Sequence, residues 1–374
     1  MNQILREQSR PAAMPLTGLV TERPALEFRS VAKRYGPVTA VAAVNFAIAP
    51  GSLVTLLGPS GCGKTSTLRL MAGLEHPTEG QILIDGHDVT HLSAAERDVS
   101  MVFQSYALFP HMTVMENVCY GLRASGMKRA EAEAQAADKL ATVGLAGFER
   151  RLPSELSGGQ QQRVAVARAI VLQPKVLLFD EPLSNLDAKL RRRVRADIRE
   201  LQQRLNLTVV YVTHDQEEAL AVSDRIIVMR GGTIVQDGGP RELYEQPNSR
   251  FIADFIGNAN LLPVSLRRVD DSMAEVTAGD TVLRLPHRGL SDGAAELAVR
   301  PQCLSLRPGA AGAGELAGHL RKLAYLGDHT EYEVVLDGLG TELLVKGPPQ
   351  AVPIPQGTPV SVSIDPAGAV VVAA

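Results

Sequence analysis

Tryptophan is missing from the 374 residues, and the aromatic residues together make up only 4% of them. Few side chains are therefore available to stack on unpaired bases, which argues against single-stranded nucleic acid as a ligand. Surplus positive charge is missing too: 38 Lys and Arg stand against 41 Asp and Glu, for a net charge of −3. A near-neutral, slightly acidic chain is a poor general binder of polyanions, so no nucleic-acid partner is expected. Cysteine is scarce. Cys62, Cys119 and Cys303 are odd in number and far apart. They form neither a disulfide framework nor a zinc-ligand spacing, and they point to a reducing cytoplasm.

Long apolar runs are lacking as well. The N-terminal MNQILREQSRPAAMPL has no continuous apolar segment of the kind a secretory leader needs. Residues 35–63 carry no Asp, Glu, Lys or Arg, but Pro37, Asn45, Pro50, Gly51, Gly58 and Pro59 interrupt them. A helix crossing a bilayer needs about 20 continuous apolar residues, so this stretch reads as short buried strands and turns. A soluble chain is expected, able to sit against a membrane protein.

What is present suffices for two domains with packed cores: hydrophobic residues reach 45% and charged residues 21%. Residues 1–24, rich in Pro, Arg and Gln, read as a flexible tail. Over 25–257 short β-branched runs (LVTLLG, VSMVFQ, KVLLFDE, TVVYVTHD, RIIVMRGG) alternate with helical stretches. Continuous apolar runs of this kind mark parallel strands covered by helices on both faces, an α/β class. The helix AKLRRRVRADIRELQQRL places Leu190, Val194, Ile198, Leu201 and Leu205 on one stripe, which makes its arginines a solvated outer face. Residues 123–145 read as a helical insert. From 258 to 374 the runs shorten and alternate, with Gly and Pro between them, which predicts a small antiparallel barrel or sandwich.

Three stretches carry chemistry. GPSGCGKT follows the strand LVTLL and precedes the helix TSTLRLMAG, the context a phosphate loop requires. The loop from Gly58 through Pro59, Ser60, Gly61, Cys62 and Gly63 to Lys64, Thr65 and Ser66 is expected to wrap phosphates. Its glycines permit positive φ and close approach, so that N–H groups point inward. Lys64 can reach the β- and γ-phosphates, and the Thr65 hydroxyl can ligate Mg²⁺. KVLLFDEP ends a strand in Asp180, placed to hold Mg²⁺, and Glu181 then faces an attacking water as general base. The third stretch, LSGGQQQRVAVARAI from Leu156, has no strong nucleophile and no metal-ligand set. Two adjacent glycines open its predicted helix, an arrangement that binds an anion through backbone N–H groups. One chain thus carries two anion cradles.

The order of these elements, with Gln104 at a strand end between them and His214 in VTHD after them, resembles the nucleotide-binding subunit of ATP-binding cassette (ABC) transporters. A phosphate loop alone covers kinases, GTPases and helicases; LSGGQ between the two nucleotide elements narrows the choice. The resemblance implies a P-loop NTPase cassette with a helical subdomain at about 104–172, an ATPase that uses Mg²⁺. It also implies roles for single residues. Tyr35 in KRYG matches the aromatic that stacks on adenine, with Ala40 lining the same base. Gln104 matches the residue that contacts Mg²⁺ and water and senses the membrane partner, which makes Thr65, Gln104 and Asp180 the metal set. His214 matches the histidine on the γ-phosphate, so that Glu181, His214, Gln104 and Lys64 form the catalytic group. Ser157, Gly158, Gly159 and Gln160 match the motif that touches ATP bound to a second subunit. Arg151 and Asp187, the latter in SNLD, belong to that trans surface. A head-to-tail homodimer follows, each ATP held between one loop and the opposite LSGGQ.

ELAVRPQCLSL resembles the R-P-E strand of the OB-like (TOBE) domain appended to importer ATPases, with Gln302 where a glutamate is usual. VFQSYALFPHMTVMENV and FIADFIGNANLL look closest to polyamine, ferric iron and aminoethylphosphonate importers, with spermidine/putrescine nearest. Two membrane permease subunits and, through them, a solute-binding protein are the implied partners, and the cytoplasmic face of the inner membrane is the implied place. Sugar or sulfate import is the alternative. A soluble ABC ATPase acting on ribosomes or DNA would carry two cassettes or long coiled coils, and an exporter ATPase would lack the β-rich tail.

Overall fold

The computed structural model describes residues 23–184, 186–349 and 353–374. All but the last two residues of the expected N-terminal tail lie outside the described residues. The chain begins with β1 (Leu26–Tyr35), β2 (Val38–Ile48), β3 (Leu53–Leu57), α1 (Lys64–Ala72), β4 (Glu79–Ile84), β5 (His87–Asp88) and β6 (Val99–Val102). Three helices follow, α2 (Val114–Ala124), α3 (Arg129–Thr142) and α4 (Gly158–Ile170). Then come β7 (Val176–Asp180), α5 (Ala188–Leu205), β8 (Val209–Thr213), α6 (Gln216–Val222), β9 (Arg225–Arg230), β10 (Thr233–Gly238), α7 (Pro240–Glu245) and α8 (Arg250–Phe255).

The expected parallel sheet is present, in the order β10-β9-β3-β8-β7-β6, with only the edge strand β10 antiparallel. Its central strands β3, β8 and β7 are buried on both faces, and their period-2 alternation feeds two different cores. Leu177 and Phe179 of β7 join a cluster with α2, α3, α4 and α5. Val176 and Leu178 join another with α1 and the antiparallel sheet β2-β1-β4-β5. Removing a side chain such as Leu56, fully buried in β3, would cost about 2–5 kcal/mol.

Helix α5 begins at Asp187, whose Oδ1 accepts the Leu190 N–H at 2.9 Å, and ends at Asn206, in the left-handed region at φ 49°. Its expected stripe faces the core, with Val194 and Ile198 buried and Leu190, Leu201 and Leu205 packed on the cluster. The solvated arginine face needs refinement. Arg192 and Arg193 are exposed, but Arg191 lies 3.5 Å from Asp215, Arg195 donates to the Glu217 carbonyl at 3.2 Å and Arg199 pairs with Asp224. These side chains fasten α5 to the segment around α6.

The C-terminal part holds β11 (Asn260–Arg268), β12 (Met273–Ala278), β13 (Thr281–Pro286), β14 (Gly293–Val299), β15 (Leu304–Pro308), β16 (Leu316–Tyr325), β17 (Thr330–Leu336), β18 (Glu342–Gly347), β19 (Pro359–Ile364) and β20 (Ala369–Ala373). They form two antiparallel five-stranded sheets, β13-β12-β11-β14-β20 and β15-β19-β16-β17-β18. One apolar cluster, from Leu262 to Val371, is shared by both. The two all-β layouts expected meet here: the sheets share one core, and the edge strands β15 and β18 of the second sheet pack against each other as in a partly open barrel.

Candidate active site

The loop from Gly58 to Thr65 joins β3 to α1. Its glycines answer to close contacts: a Cβ on Gly58 would lie 2.2 Å from the Met229 carbonyl oxygen, and one on Gly63 would lie 2.3 Å from that of Ala40. Gly63 caps α1 at φ 103°, a region that disfavours residues with a Cβ. Ala40, expected beside a base, here wedges its carbonyl against the loop. The Lys64 side chain is folded into it: the residue is 6% exposed, and Nζ donates to the Gly58 and Pro59 carbonyls at 2.6 and 3.0 Å. Cys62 is buried with Sγ 3.7 Å from that ammonium, while Thr65 is exposed at the start of the helix.

Because β3, β8 and β7 are parallel neighbours, their C-terminal ends lie side by side at the crevice where open α/β sheets bind ligands. β7 delivers Asp180 and Glu181, and β8 delivers Thr213 and His214. Glu181 takes φ 44°, an uncommon conformation for a residue with a Cβ and one found at functional sites. Its N–H donates to the Val212 carbonyl at 3.0 Å, and its carboxylate lies 3.2 Å from His214 Nδ1. Burial raises the Asp180 pKa above its ordinary value, and the Glu181 charge raises it further. Gln104, just past β6, donates to Ser184 Oγ at 3.0 Å, and Ser184 donates to the Glu181 carbonyl at 3.0 Å. The structure thus links Gln104, Ser184, Glu181 and His214 in one chain of contacts.

Tyr35 is 44% exposed, unlike an aromatic recruited to a core. Its hydroxyl bonds the Glu75 carboxylate, and the Lys33 ammonium lies 4.9 Å from its ring centroid.

The LSGGQ stretch does open a helix, α4, but its glycines have another physical reason than the one expected. Neither takes positive φ. A Cβ on Gly158 would lie 3.2 Å from a methyl of Leu186, just before α5, and one on Gly159 3.1 Å from a Leu190 methyl within it, so the two let α4 press against α5 and the segment leading into it. Ser157 is exposed, and its N–H donates to Gln160 Oε1 at 2.9 Å. Among the described residues no hydrogen bond or ion pair joins this turn to the phosphate loop, Asp180, Glu181 or His214. Asp187 caps α5, and Arg151 stacks its guanidinium 4.2 Å from the Phe148 ring centroid.

Sequence reasoning missed two supports. Glu218 is buried and accepts bonds from Thr213 Oγ1 at 2.9 Å and Tyr211 Oη at 3.1 Å, which steadies the turn carrying His214. Its spacing from Asp215, whose Oδ1 accepts the Glu218 N–H at 3.1 Å, is the helix-capping pattern and was open to recognition. Arg168 of α4 donates to the carbonyls of Tyr106 and Ala107 at 2.8 and 2.7 Å, two successive left-handed residues just after Gln104. No local pattern announces that contact.

The donor set fits a hard cation. A hydroxyl, a carboxylate and an amide oxygen beside phosphate oxygens suit Mg²⁺, which is usually held by one or two carboxylates together with substrate phosphates. Among the described residues no cluster of three or more His, Cys, Asp or Glu could hold a metal by itself.

Residues 41–184 match the ABC transporter family model and residues 297–372 the TOBE domain model. The Fe(3+) ions import ATP-binding protein FbpC 1 of Rhizobium meliloti is 63% identical over 307 residues, covering 82% of this chain and 86% of that one. FbpC of Escherichia coli K12 is 51% identical over 329 residues, covering 87% and 91%. Among solved structures, CbiO1 of Clostridium perfringens, part of an ABC transporter complex, superposes with a TM-score of 0.56 at 26% identity, covering 60% of this chain and 92% of that one. A dimeric bacterial ABC transporter cassette gives 0.51 at 32% identity, covering 58% and 99%.

Proposed function

The chain belongs to the ATP-binding subunits of ABC transporters, and on that footing we propose that it hydrolyses ATP to drive the import of ferric iron. The observation that carries the chemistry is the meeting of the phosphate loop, Asp180, Glu181 and His214 at neighbouring strand ends. The solute is taken from relatives named for Fe(3+) import, 51–63% identical to this chain. Of the three solute classes the sequence suggested, they name one.

In this reading the loop N–H groups and Lys64 hold the β- and γ-phosphates, and Tyr35 stacks on the adenine. The carboxylate of Glu181, oriented by His214, takes a proton from water while the water oxygen attacks the γ-phosphorus and the bond to ADP breaks. Thr65, Asp180 and Gln104 would hold Mg²⁺, which supplies neutralisation of phosphate charge. Ser157 and its neighbours complete the site on a second copy of the chain, as the dimeric cassette relative suggests. Hydrolysis then opens the pair.

No helix among the described residues is long and apolar enough to cross a membrane. The membrane passage belongs to two permease subunits, with this subunit at their cytoplasmic face and a solute-binding protein outside. We also take residues 25–257 and 258–374 as separable domains; loss of ATP binding in a chain ending near Gly257 would refute that boundary.

The test is ATPase activity in the reconstituted importer. A binding protein loaded with ferric iron should stimulate it severalfold, and polyamine- or phosphonate-loaded proteins should not. Stimulation by a polyamine-loaded protein alone would reject iron while leaving the ATPase assignment intact.

A further inference from the structure

A cleft of about 670 Å³ lies between the end of α7 and the C-terminal sheets, far from the phosphate loop in the sequence and walled in part by Leu285, Ala298 and Val371. Ligand pockets commonly have this size and this mixture of apolar wall and a few polar groups. Three charged residues line it: Glu245, Arg288 and Arg300. Glu245 already pairs with Arg241 at 2.9 Å.

The two arginines have no carboxylate partner among the described residues; their hydrogen bonds go to backbone carbonyls. Arg288 donates to the carbonyls of Pro247 at 2.7 Å and Gln246 at 3.2 Å. Arg300 donates to those of Ala253, Ile256 and Tyr244. A guanidinium carries five N–H donors, so each retains donors beyond these bonds. Arg288 is exposed, whereas Arg300 is only 6% exposed. The Tyr244 ring, 4.2 Å from the Arg300 guanidinium, partly offsets its charge, but a buried cation without a full counter-charge is costly. Burial pulls both guanidinium pKa values below their ordinary level. Gln302, next to this group in sequence, is a neutral amide bonded to the Tyr244 hydroxyl. Arg288 itself takes φ 51°, a backbone conformation kept only where its surroundings enforce it.

We propose that this cleft binds a small, multiply charged oxyanion, a polycarboxylate or a phosphate, through Arg288 and Arg300. Such a ligand would bear on the cassette and the β-rich part at once, because the carbonyls that these arginines hold belong to the last turns of the cassette.

The experiment is calorimetric titration of the full chain with citrate and, separately, inorganic phosphate. Saturating ADP in chelator-free, metal-depleted buffer keeps the phosphate loop filled and metal out of play without adding a competing polycarboxylate. Saturable binding of at least one probe is expected, weakened at least tenfold in Arg288→Gln and less in Arg288→Lys, with ADP affinity unchanged in both. Tighter citrate binding assigns a carboxylate ligand, and tighter phosphate binding a phosphate one. Failure of both probes to bind the wild-type chain, or binding that Arg288→Gln leaves intact, overturns the proposal and reduces the arginines to a structural clasp.

Discussion

The strand-end cluster holds its side chains by contacts to one another, whereas the turn that opens α4 holds only itself. Glu181 touches His214, Ser184 ties Glu181 to Gln104, and Lys64 is folded into its own loop. Ser157 and Gln160 bond each other and nothing in that cluster. The first region is organised within one chain, at a cost that includes a left-handed Glu181. The second is an exposed set of donors at a helix N-terminus, where the partial positive charge favours an anion from outside. A protein that built only one of these could bind nucleotide. One that builds both, on separate elements, suits the proposed site shared between two copies, in which the turn of one copy closes the loop of the other.

The largest break in this comparison comes from Glu181→Gln. The amide keeps the shape and a bond to His214 but cannot accept the proton from water. Turnover is expected to fall by about 10²–10⁴-fold with ATP binding retained, read by steady-state hydrolysis and nucleotide titration. Gel filtration with ATP should then show a persistent dimer. Wild-type hydrolysis in this variant would remove Glu181 from the chemistry.

The division between two chains is tested by mixing defects. Lys64→Ala disables one region and Ser157→Arg the other, and each variant alone is expected to be nearly inactive. A heterodimer regains one complete site, so an equimolar mixture that exchanges freely should recover about a quarter of wild-type activity. If verified heterodimers show no gain over either parent, the shared site is wrong. Recovery to that level would place Ser157 in trans.

How much of this could be read from the residues differs between the two regions. The phosphate loop was legible because its glycine spacing, Lys64 and both flanking elements are local, and the strand-end Asp180 and Glu181 were legible because a fully apolar run ends there. The LSGGQ turn was legible as a pattern, but the reason for its glycines was not. Gly159 faces Leu190 and Val194 on a helix that begins nearly thirty residues later, a tertiary contact that no local rule contains. The same holds for Arg168 with Tyr106 and for Arg300 with Ala253. In the C-terminal part, alternation predicted strands but could not order them, because β20 pairs with β14 and β15 with β19 across long separations. Glu218 is the instructive miss. Its capping spacing was visible, yet its carboxylate turns inward to Thr213 and Tyr211 rather than to the helix end.

The smallest expected effect separates the regions by their cost in stability. Asp180 is partly buried beside the Glu181 charge, and these two causes raise its pKa in the folded chain against the opposing pull of the Arg69 charge. A carboxyl raised in this way favours the folded state while protonated, and that advantage is lost as pH climbs through the raised value. At neutral pH the ionised Asp180 is therefore a liability of the nucleotide-free, metal-free chain. Asp180→Asn should lift the thermal midpoint by about 2 °C at pH 7, and the gain should shrink as pH falls through the raised value and the wild-type carboxyl takes up its proton. Ser157→Ala, on the exposed turn, should show no such pH-dependent gain. If Asp180→Asn lowered the midpoint at pH 7, the favourable pull of the Arg69 charge on the carboxylate would outweigh burial and Glu181, and the contrast between a costly cluster and a cost-free turn would fail.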